Sequence, residues 1–307
     1  MVNIIKKAWA SSPPLTFTAL LMLVLFPVSA AGILLDPRTI TGVPAWLKPT
    51  KFAVSTAIYC ASLAWIYGYL NVWPRFLRLA GWATSIIVAV EVALIDVQAV
   101  RGTTSHFNAS TPFDAAVFGV MGAMIALAWL ASVGILAASF KQTFQERAWG
   151  WSLRLGLLAT VLGSATGGLM VRPTPDQMDR MRNHEVVTTV GAHTVGGPDG
   201  GPGIPGVGWS TSHGDVRIPH FFGLHGLQII PFLGWLILRR RGGDQVRLIF
   251  AAAASYLTLV AILVWQALRG QSVLEPDSTT MIVFAVWVSA TAAAVLAFRR
   301  TPVEALA

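Results

Sequence analysis

The sequence predicts an all-α, polytopic integral membrane protein with about eight transmembrane helices, arranged as two parallel four-helix repeats. Hydrophobic residues make up 54% of the chain, charged residues only 12%, and the mean hydropathy is +0.63. Soluble proteins carry about 25% charged residues. Eight apolar runs are each long enough to cross about 30 Å of hydrocarbon. Composition and run length therefore predict membrane spans, and an internal sequence similarity between two helix ends predicts the repeat.

The apolar runs alternate with short polar segments, except for one long segment between the fifth and sixth runs. They cover residues 15–35, 52–70, 79–100, 114–140, 151–171, 219–238, 247–268 and 279–298. Lysine and arginine residues fall mainly on one predicted side: Lys6, Lys7, Arg75, Arg78, Lys141, Arg147, Arg239, Arg240, Arg241, Arg247, Arg299 and Arg300. Because such clusters face the cytoplasm, both termini are predicted to be cytoplasmic.

The first run has two interpretations. Lys6 and Lys7, a short apolar stretch and Val28-Ser29-Ala30 are typical of a cleavable signal peptide. The run continues through Leu35, which favours a retained first span. Short loops and a single cysteine, Cys60, favour a bacterial inner membrane, and one cysteine excludes an internal disulfide.

The net charge of +8 does not indicate a nucleic-acid partner. The basic residues lie at the ends of apolar runs, where they determine membrane topology. We therefore expect the lipid bilayer, and no nucleic acid, as the main environment. The sequence leaves the oligomeric state open.

Two helix ends share a motif that predicts an internal repeat. The third span ends at Gln98 and Arg101-Gly102, and the seventh ends at Gln266 and Arg269-Gly270. A proline and an aspartate follow each motif, namely Pro112 and Asp114 after the first and Pro276 and Asp277 after the second. Four spans per copy give both copies the same orientation. The predicted halves are residues 1–141 and 142–307.

The outer segment 172–218 is long and rich in glycine and proline. Such a composition cannot form its own core. We expect the segment either to fold over a site as a lid or to be a mobile surface loop.

All six histidines are predicted to lie on the outer side, where they could bind a metal or move protons. They are His106, His184, His193, His213, His220 and His225. His220 and His225 enter the sixth span together, but a five-residue spacing turns a helix by about 140°, so one ion cannot bind both. His225 and Gln228 share a helix face. The alternative is a buried histidine satisfied by a backbone carbonyl.

Three carboxylates are candidate catalytic residues: Glu91 near the bilayer midplane, and Asp96 and Asp114 nearer the outer side. An ionisable group in a span is costly, which makes it a functional candidate. Gln98 lies seven residues after Glu91 and returns to the same face. The alternative for Glu91 is a protonated acid hydrogen-bonded between helices. If the third and sixth spans are neighbours, Glu91 and His225 form two walls of one outward-facing pocket.

Several outer cations could neutralise an anionic ligand such as a lipid phosphate, a haem propionate or a carboxylate. They are Lys48, Lys51, Arg101, Arg217 and Arg269. The alternative is contact with lipid headgroups. The predicted cofactor-binding residues are Lys51, Gln98, Arg101, Arg217 and Gln228, and the predicted metal ligands are His106, His213, His220 and His225.

These residues predict a haem- or metal-dependent membrane oxidoreductase with an extracytoplasmic site, acting on a quinone, lipid or other membrane-soluble substrate. Histidines beside carboxylates suit haem, iron or copper. Eight spans in two parallel halves resemble the haem A synthase class in architecture only. The second, fourth, seventh and eighth spans lack the histidines of that class, so no family is assigned.

Two alternatives remain: a non-catalytic metal- or haem-binding assembly or sensor protein, and a small-molecule or ion transporter. A transporter normally leaves polar residues through the whole membrane depth. Here Glu91 is the deepest acid, and the inner halves of the spans look almost free of ionisable groups.

Overall fold

The computed structural model describes residues 2–239 and 243–299, and most of them are helical. Within these ranges the chain forms ten α-helices, a short 3-10 helix at Thr166–Leu169 and two antiparallel strand pairs. The helices are α1 (Val2–Ser11), α2 (Pro13–Leu35), α3 (Leu47–Tyr67), α4 (Pro74–Val100), α5 (Pro112–Lys141), α6 (Arg147–Ala165), α7 (Pro175–Arg182), α8 (Arg217–Leu238), α9 (Gln245–Leu268) and α10 (Ser278–Arg299). The strands are β1 (Thr39–Ile40), β2 (Val43–Pro44), β3 (Thr194–Val195) and β4 (Gly214–Asp215).

Six helices in the described part of the chain are long and apolar enough to cross a membrane: α2, α4, α5, α8, α9 and α10. This confirms a helical integral membrane protein in a lipid bilayer. The other two predicted spans correspond to α3, with 21 residues, and α6, with 19 residues. Both carry cations at their first turns, Lys48 and Lys51 in α3 and Arg147 in α6, and neither is among the six.

Proline and capping residues determine where several helices begin. Pro13 and Pro74 lie in the first turns of α2 and α4, where a missing N–H costs no hydrogen bond. The Asp244 carboxylate accepts a hydrogen bond from Arg247 N and caps α9. The sequence prediction did not include α1, which ends just before Pro13.

The chain divides into two compact units. The first unit comprises Met1–Ile135, Met170–Ala192 and Pro198–Gly208, and the second comprises Leu136–Leu169, His193–Gly197 and Trp209–Ala307. The first continuous part ends at Ile135, and the predicted halves 1–141 and 142–307 stay a prediction. The outer segment, however, contributes to both units.

In the first unit, α2 packs against α3 and α4. Met22, Ala57 and Val92 form a buried cluster contributed by these three helices. Near the C-terminal end of α2, a side chain on Gly32 would overlap the Trp46 indole, because its Cβ would lie 2.5 Å from Trp46 Cγ. Glycine at this position therefore lets the Trp46 ring lie directly against the helix.

In the second unit, α6, α8 and α9 form the core. The approach of α6 to α8 is closest where Gly163 faces Gly223, since a Cβ on Gly163 would lie 2.3 Å from Gly223 Cα. Gly226 packs on Ala159, and Gly234 packs on Ser152. Small residues thus allow the two backbones to approach closely along much of α8.

The outer segment is folded back on the loop between α4 and α5. Val190 N donates a hydrogen bond to Phe107 O, and Ala109 N donates one to Thr188 O. The Gln177 side chain donates to Gly191 O and accepts from Gly191 N. This part of the segment therefore supports the loop that carries His106.

Candidate functional site

A line of three side chains joins the surface of the first unit to a buried carboxylate. Lys48 Nζ lies 3.0 Å from His106 Nδ1, and His106 Nε2 lies 3.4 Å from Glu91 Oε1. The Ser105 hydroxyl is also 3.0 Å from Nδ1. Glu91 is only 4% exposed, whereas the His106 side chain is 23% exposed. An imidazole that touches a surface cation and a buried acid can carry protons between them.

Aromatic rings enclose the His106 imidazole. The ring centroids of Phe52, Phe107 and Phe118 lie 6.0, 6.2 and 6.4 Å from that of His106. Phe107 also has a positive φ of 62°, which is strained for a residue with a side chain. Strained backbone of this kind often occurs at functional sites. The rings limit access of water and strengthen the electrostatic interaction of Lys48 with Glu91.

Gln98, Arg101 and Asp114 form a second cluster, where α4 ends and α5 begins. Gln98 Nε2 donates to Asp114 Oδ1 at 2.8 Å, and Arg101 forms an ion pair with the same carboxylate. Thr111 Oγ1 donates to Asp114 Oδ2 at 2.6 Å. With several donors on one buried carboxylate, Asp114 stabilises this helix connection. Its predicted catalytic role stays a prediction.

The fourth helix carries a second acid, Asp96, which is half-buried. Its Oδ1 atom is buried and has no hydrogen-bond partner among the described residues. Glu91 Oε2 is also buried and has no hydrogen-bond partner among the described residues. Both carboxyl groups thus have one oxygen that the described part of the chain leaves unsatisfied.

In the second unit, His220 contacts the end of α6. Its Nδ1 atom lies 3.1 Å from Gly163 O and 3.3 Å from Thr166 Oγ1. A Cβ on Gly167 would lie 3.1 Å from the ring. A contact with a backbone carbonyl is what the alternative for His220 predicts, and metal binding by His220 stays a prediction.

His225 lies five residues, or about 1.4 turns, further along α8. Its Nδ1 atom is 3.1 Å from Gln228 Oε1, and its ring centroid is 4.3 Å from that of Phe221. A carbonyl oxygen that accepts from Nδ1–H fixes the neutral tautomer with a lone pair on Nε2. Metal-binding histidines are commonly oriented in this way. When neutral, the His225 ring in this tautomer presents its Nε2 lone pair, as a metal ligand requires.

His213 lies in the loop before α8. Its backbone N–H donates to Ser210 Oγ at 3.1 Å, and a side chain on Gly197 would overlap its ring. Across the described ranges, no group of three or more His, Cys, Asp or Glu side chains is placed to hold a metal ion. His106 lies in the first unit and the other three predicted ligands lie in the second.

The outer cations contact protein acceptors. Lys51 Nζ donates to Val207 O at 2.8 Å, and Arg217 pairs with the buried carboxylate of Asp215. Arg269 donates to Asp277, and these hydrogen bonds hold the pKa of Asp277 well below its usual range. These contacts compensate the cations within the protein. Binding of an anionic ligand by Lys51, Arg101 or Arg217 stays a prediction.

The sequence prediction placed Lys48 among the outer cations but did not include it in the site. Nothing in the local pattern pairs Lys48 with His106, because the contact joins the start of α3 to the loop after α4. The excess of cations on the predicted outer side was the one available signal.

Comparisons with protein-family models, curated proteins and solved structures found no match.

Proposed function

We propose that this chain is an integral membrane oxidoreductase that exchanges protons with a membrane-soluble substrate, such as a quinone, through Glu91 and His106, and binds haem through His225. The observation that carries the proposal is the buried Glu91 carboxylate facing an imidazole that also touches Lys48. Oxidation of a quinol releases protons together with electrons. A carboxylate paired with histidine is suited to receive those protons.

We assign the starting protonation states from the contacts. The Lys48 ammonium donates to His106 Nδ1, which leaves the proton on Nε2, directed at Glu91 Oε1. The neutral ring thus lies between a cation and a carboxylate. The second Glu91 oxygen, Oε2, has no partner among the described residues and is free to accept a proton from a substrate.

Haem fits the His225 environment better than a multi-ligand metal centre does. Haem iron requires one or two axial ligands from the protein, and an imidazole with its Nδ1–H held by an acceptor supplies one. Gln228 provides that acceptor. Bound haem would supply one-electron redox chemistry, while Glu91 and His106 exchange the protons. His106 is assigned to proton exchange and is not included among the proposed ligands.

The wider proposal includes eight spans, with α3 and α6 crossing the membrane beside the six apolar helices. The two units have matching helix pairings, since α2 packs on α3 and α4 as α6 packs on α8 and α9. Gln98 and Gln266, near the ends of α4 and α9, are both buried. These features support a parallel repeat. We further propose a bacterial inner membrane with cytoplasmic termini.

The test combines spectroscopy with turnover. Purified protein should show a haem Soret band, and His225→Ala should lose it, while His184→Ala, at an exposed loop histidine, should keep it. Glu91→Gln should retain the band and reduce quinol oxidation by about 100-fold or more, the usual contribution of acid–base catalysis. A colourless, metal-free preparation would refute haem binding. Equal turnover in Glu91→Gln would refute the catalytic role of Glu91.

A further inference from the structure

The first unit contains five buried polar atoms without a hydrogen-bond partner among the described residues: Tyr67 Oη, Thr84 Oγ1, Ser85 Oγ, Glu91 Oε2 and Asp96 Oδ1. Tyr67, Thr84, Ser85 and Glu91 are 7%, 0%, 4% and 4% exposed. Buried polar atoms in native proteins are almost always hydrogen-bonded, to protein or to ordered water. Their concentration in one unit therefore indicates a polar interior that admits water or protons.

These groups follow the length of α4. Thr84 lies seven residues before Glu91 on nearly the same face, which is about 10 Å along the axis. Ser85 lies next to Thr84. One turn earlier, a Cβ on Gly81 would be 3.3 Å from Tyr67 Cε2, so the Tyr67 ring lies against α4 at that level. The polar groups thus continue from Glu91 toward the beginning of α4.

Toward the end of α4, the series continues from Glu91 to His106 and Lys48. Lys48 and Tyr67 lie at opposite ends of α3, which has 21 residues and is about 31 Å long at 1.5 Å per residue. The hydrocarbon core of a bilayer is about 30 Å thick. The series from Lys48 through His106, Glu91 and Thr84 to Tyr67 therefore has the extent of a membrane.

We propose that this series is a proton path through the first unit, with Glu91 as its central proton-binding group. The proposal rests on proton exchange between Glu91 and His106 but does not require haem or a quinone. It gives the chain a second activity, proton movement across the membrane, which the scarcity of ionisable groups in the inner halves of the spans had argued against.

The transfer at the outer end balances without any other reactant. A Lys48 Nζ–H bond breaks as His106 Nδ1–H forms. The Nε2–H bond breaks as Glu91 Oε1–H forms, once these two atoms approach from 3.4 Å. Lys48 becomes an amine, Glu91 a neutral acid, and the imidazole is neutral before and after. Water then takes the Nδ1 proton and returns one to Nε2, which restores the first tautomer, and water reprotonates Lys48.

At the inner end, hydroxyl groups and water continue the path. Glu91 releases its proton from Oε2 to water, and the Thr84, Ser85 and Tyr67 hydroxyls each accept one hydrogen bond and donate another. Roughly 10 Å separates Thr84 from Glu91 along the helix, a distance that a short file of water molecules spans. Each hydroxyl passes on one proton for each that it receives, so none changes its charge.

The experiment measures proton flux in proteoliposomes. Purified protein is reconstituted with a trapped pH-sensitive dye, and valinomycin with a potassium gradient sets the membrane potential. We expect acidification several-fold faster than in protein-free liposomes, Glu91→Gln at the protein-free rate, and a several-fold reduction for Thr84→Val and Ser85→Ala. Ser132→Ala is the matched control, because Ser132 is a buried serine whose hydroxyl donates to Ala128 O.

Circular dichroism and size-exclusion chromatography identify variants that fail to fold. If Glu91→Gln misfolds, Thr84→Val and Ser85→Ala still test the proton path. Wild-type flux equal to that of empty liposomes overturns the proposal, as does equal flux in Ser85→Ala and Ser132→Ala. Proton flux without quinol turnover refutes the oxidoreductase but not the proton path. Quinol turnover without proton flux refutes the proton path but not the oxidoreductase.

Discussion

Replacing Gly163 by alanine tests the closest helix contact in the second unit. The added Cβ would lie 2.3 Å from Gly223 Cα and 2.8 Å from Gly223 O. Carbon atoms normally contact at about 3.5 Å or more, so α6 and α8 must separate locally by about 1 Å. Overpacking of this kind costs about 1–3 kcal/mol. The gain in helix propensity from glycine to alanine, at most about 1 kcal/mol, offsets only part of it.

The expected net loss, at most about 2 kcal/mol, lowers the folding equilibrium constant by up to about 30-fold, since about 1.4 kcal/mol corresponds to a factor of ten. The assay is reversible unfolding with sodium dodecyl sulfate in mixed micelles, followed by circular dichroism. Gly119→Ala in α5 is the control, because a Cβ built there meets no described atom within 4 Å apart from its chain neighbours and the backbone of its own helix. If both variants unfold at the same midpoint, the close approach of α6 and α8 is wrong.

The remaining predictions concern segment 172–218 and the loop between α9 and α10. Gly191→Ala should lower the unfolding midpoint, because Gly191 has a φ of +106° and its Cβ would lie 2.4 Å from Met170 O, whereas Gly201→Ala should leave it nearly unchanged. Asp277→Asn should weaken the acid sensitivity of folding. Hydrogen bonds from Arg269 depress the pKa of folded Asp277, so its contribution is present above the unfolded pKa of about 3.9 and is lost as the pH falls below it. Unfolding midpoints measured from pH 6 to the acid limit check this; identical pH profiles in wild type and Asp277→Asn would contradict it.

Local features of the chain were predictable because they depend on neighbouring residues. Apolar length predicted the spans that became α2, α4, α5, α8, α9 and α10. The contact of His225 with Gln228 follows from a three-residue spacing on a helix. The Arg101 contact with Gln98 has the same origin.

Contacts between distant segments were not predictable in the same way. Lys48 meets His106 because the loop after α4 returns to the start of α3. That loop is held by backbone hydrogen bonds from residues 188–190, and no periodicity in the sequence specifies such a pairing. The polar groups at Thr84 and Ser85 were likewise inconspicuous, since single hydroxyl groups in an apolar run are common and only their burial distinguishes them.

The first unit is built from discontinuous segments of the chain, and this has a consequence for biosynthesis. The chain leaves this unit at Ile135 and returns to it only at Met170. When α5 emerges from the ribosome, Phe107 O and Ala109 N still lack Val190 N and Thr188 O, their partners in the finished protein. The His106 loop is therefore completed only after α6 has been synthesised, and a chain truncated at residue 141 would never complete it.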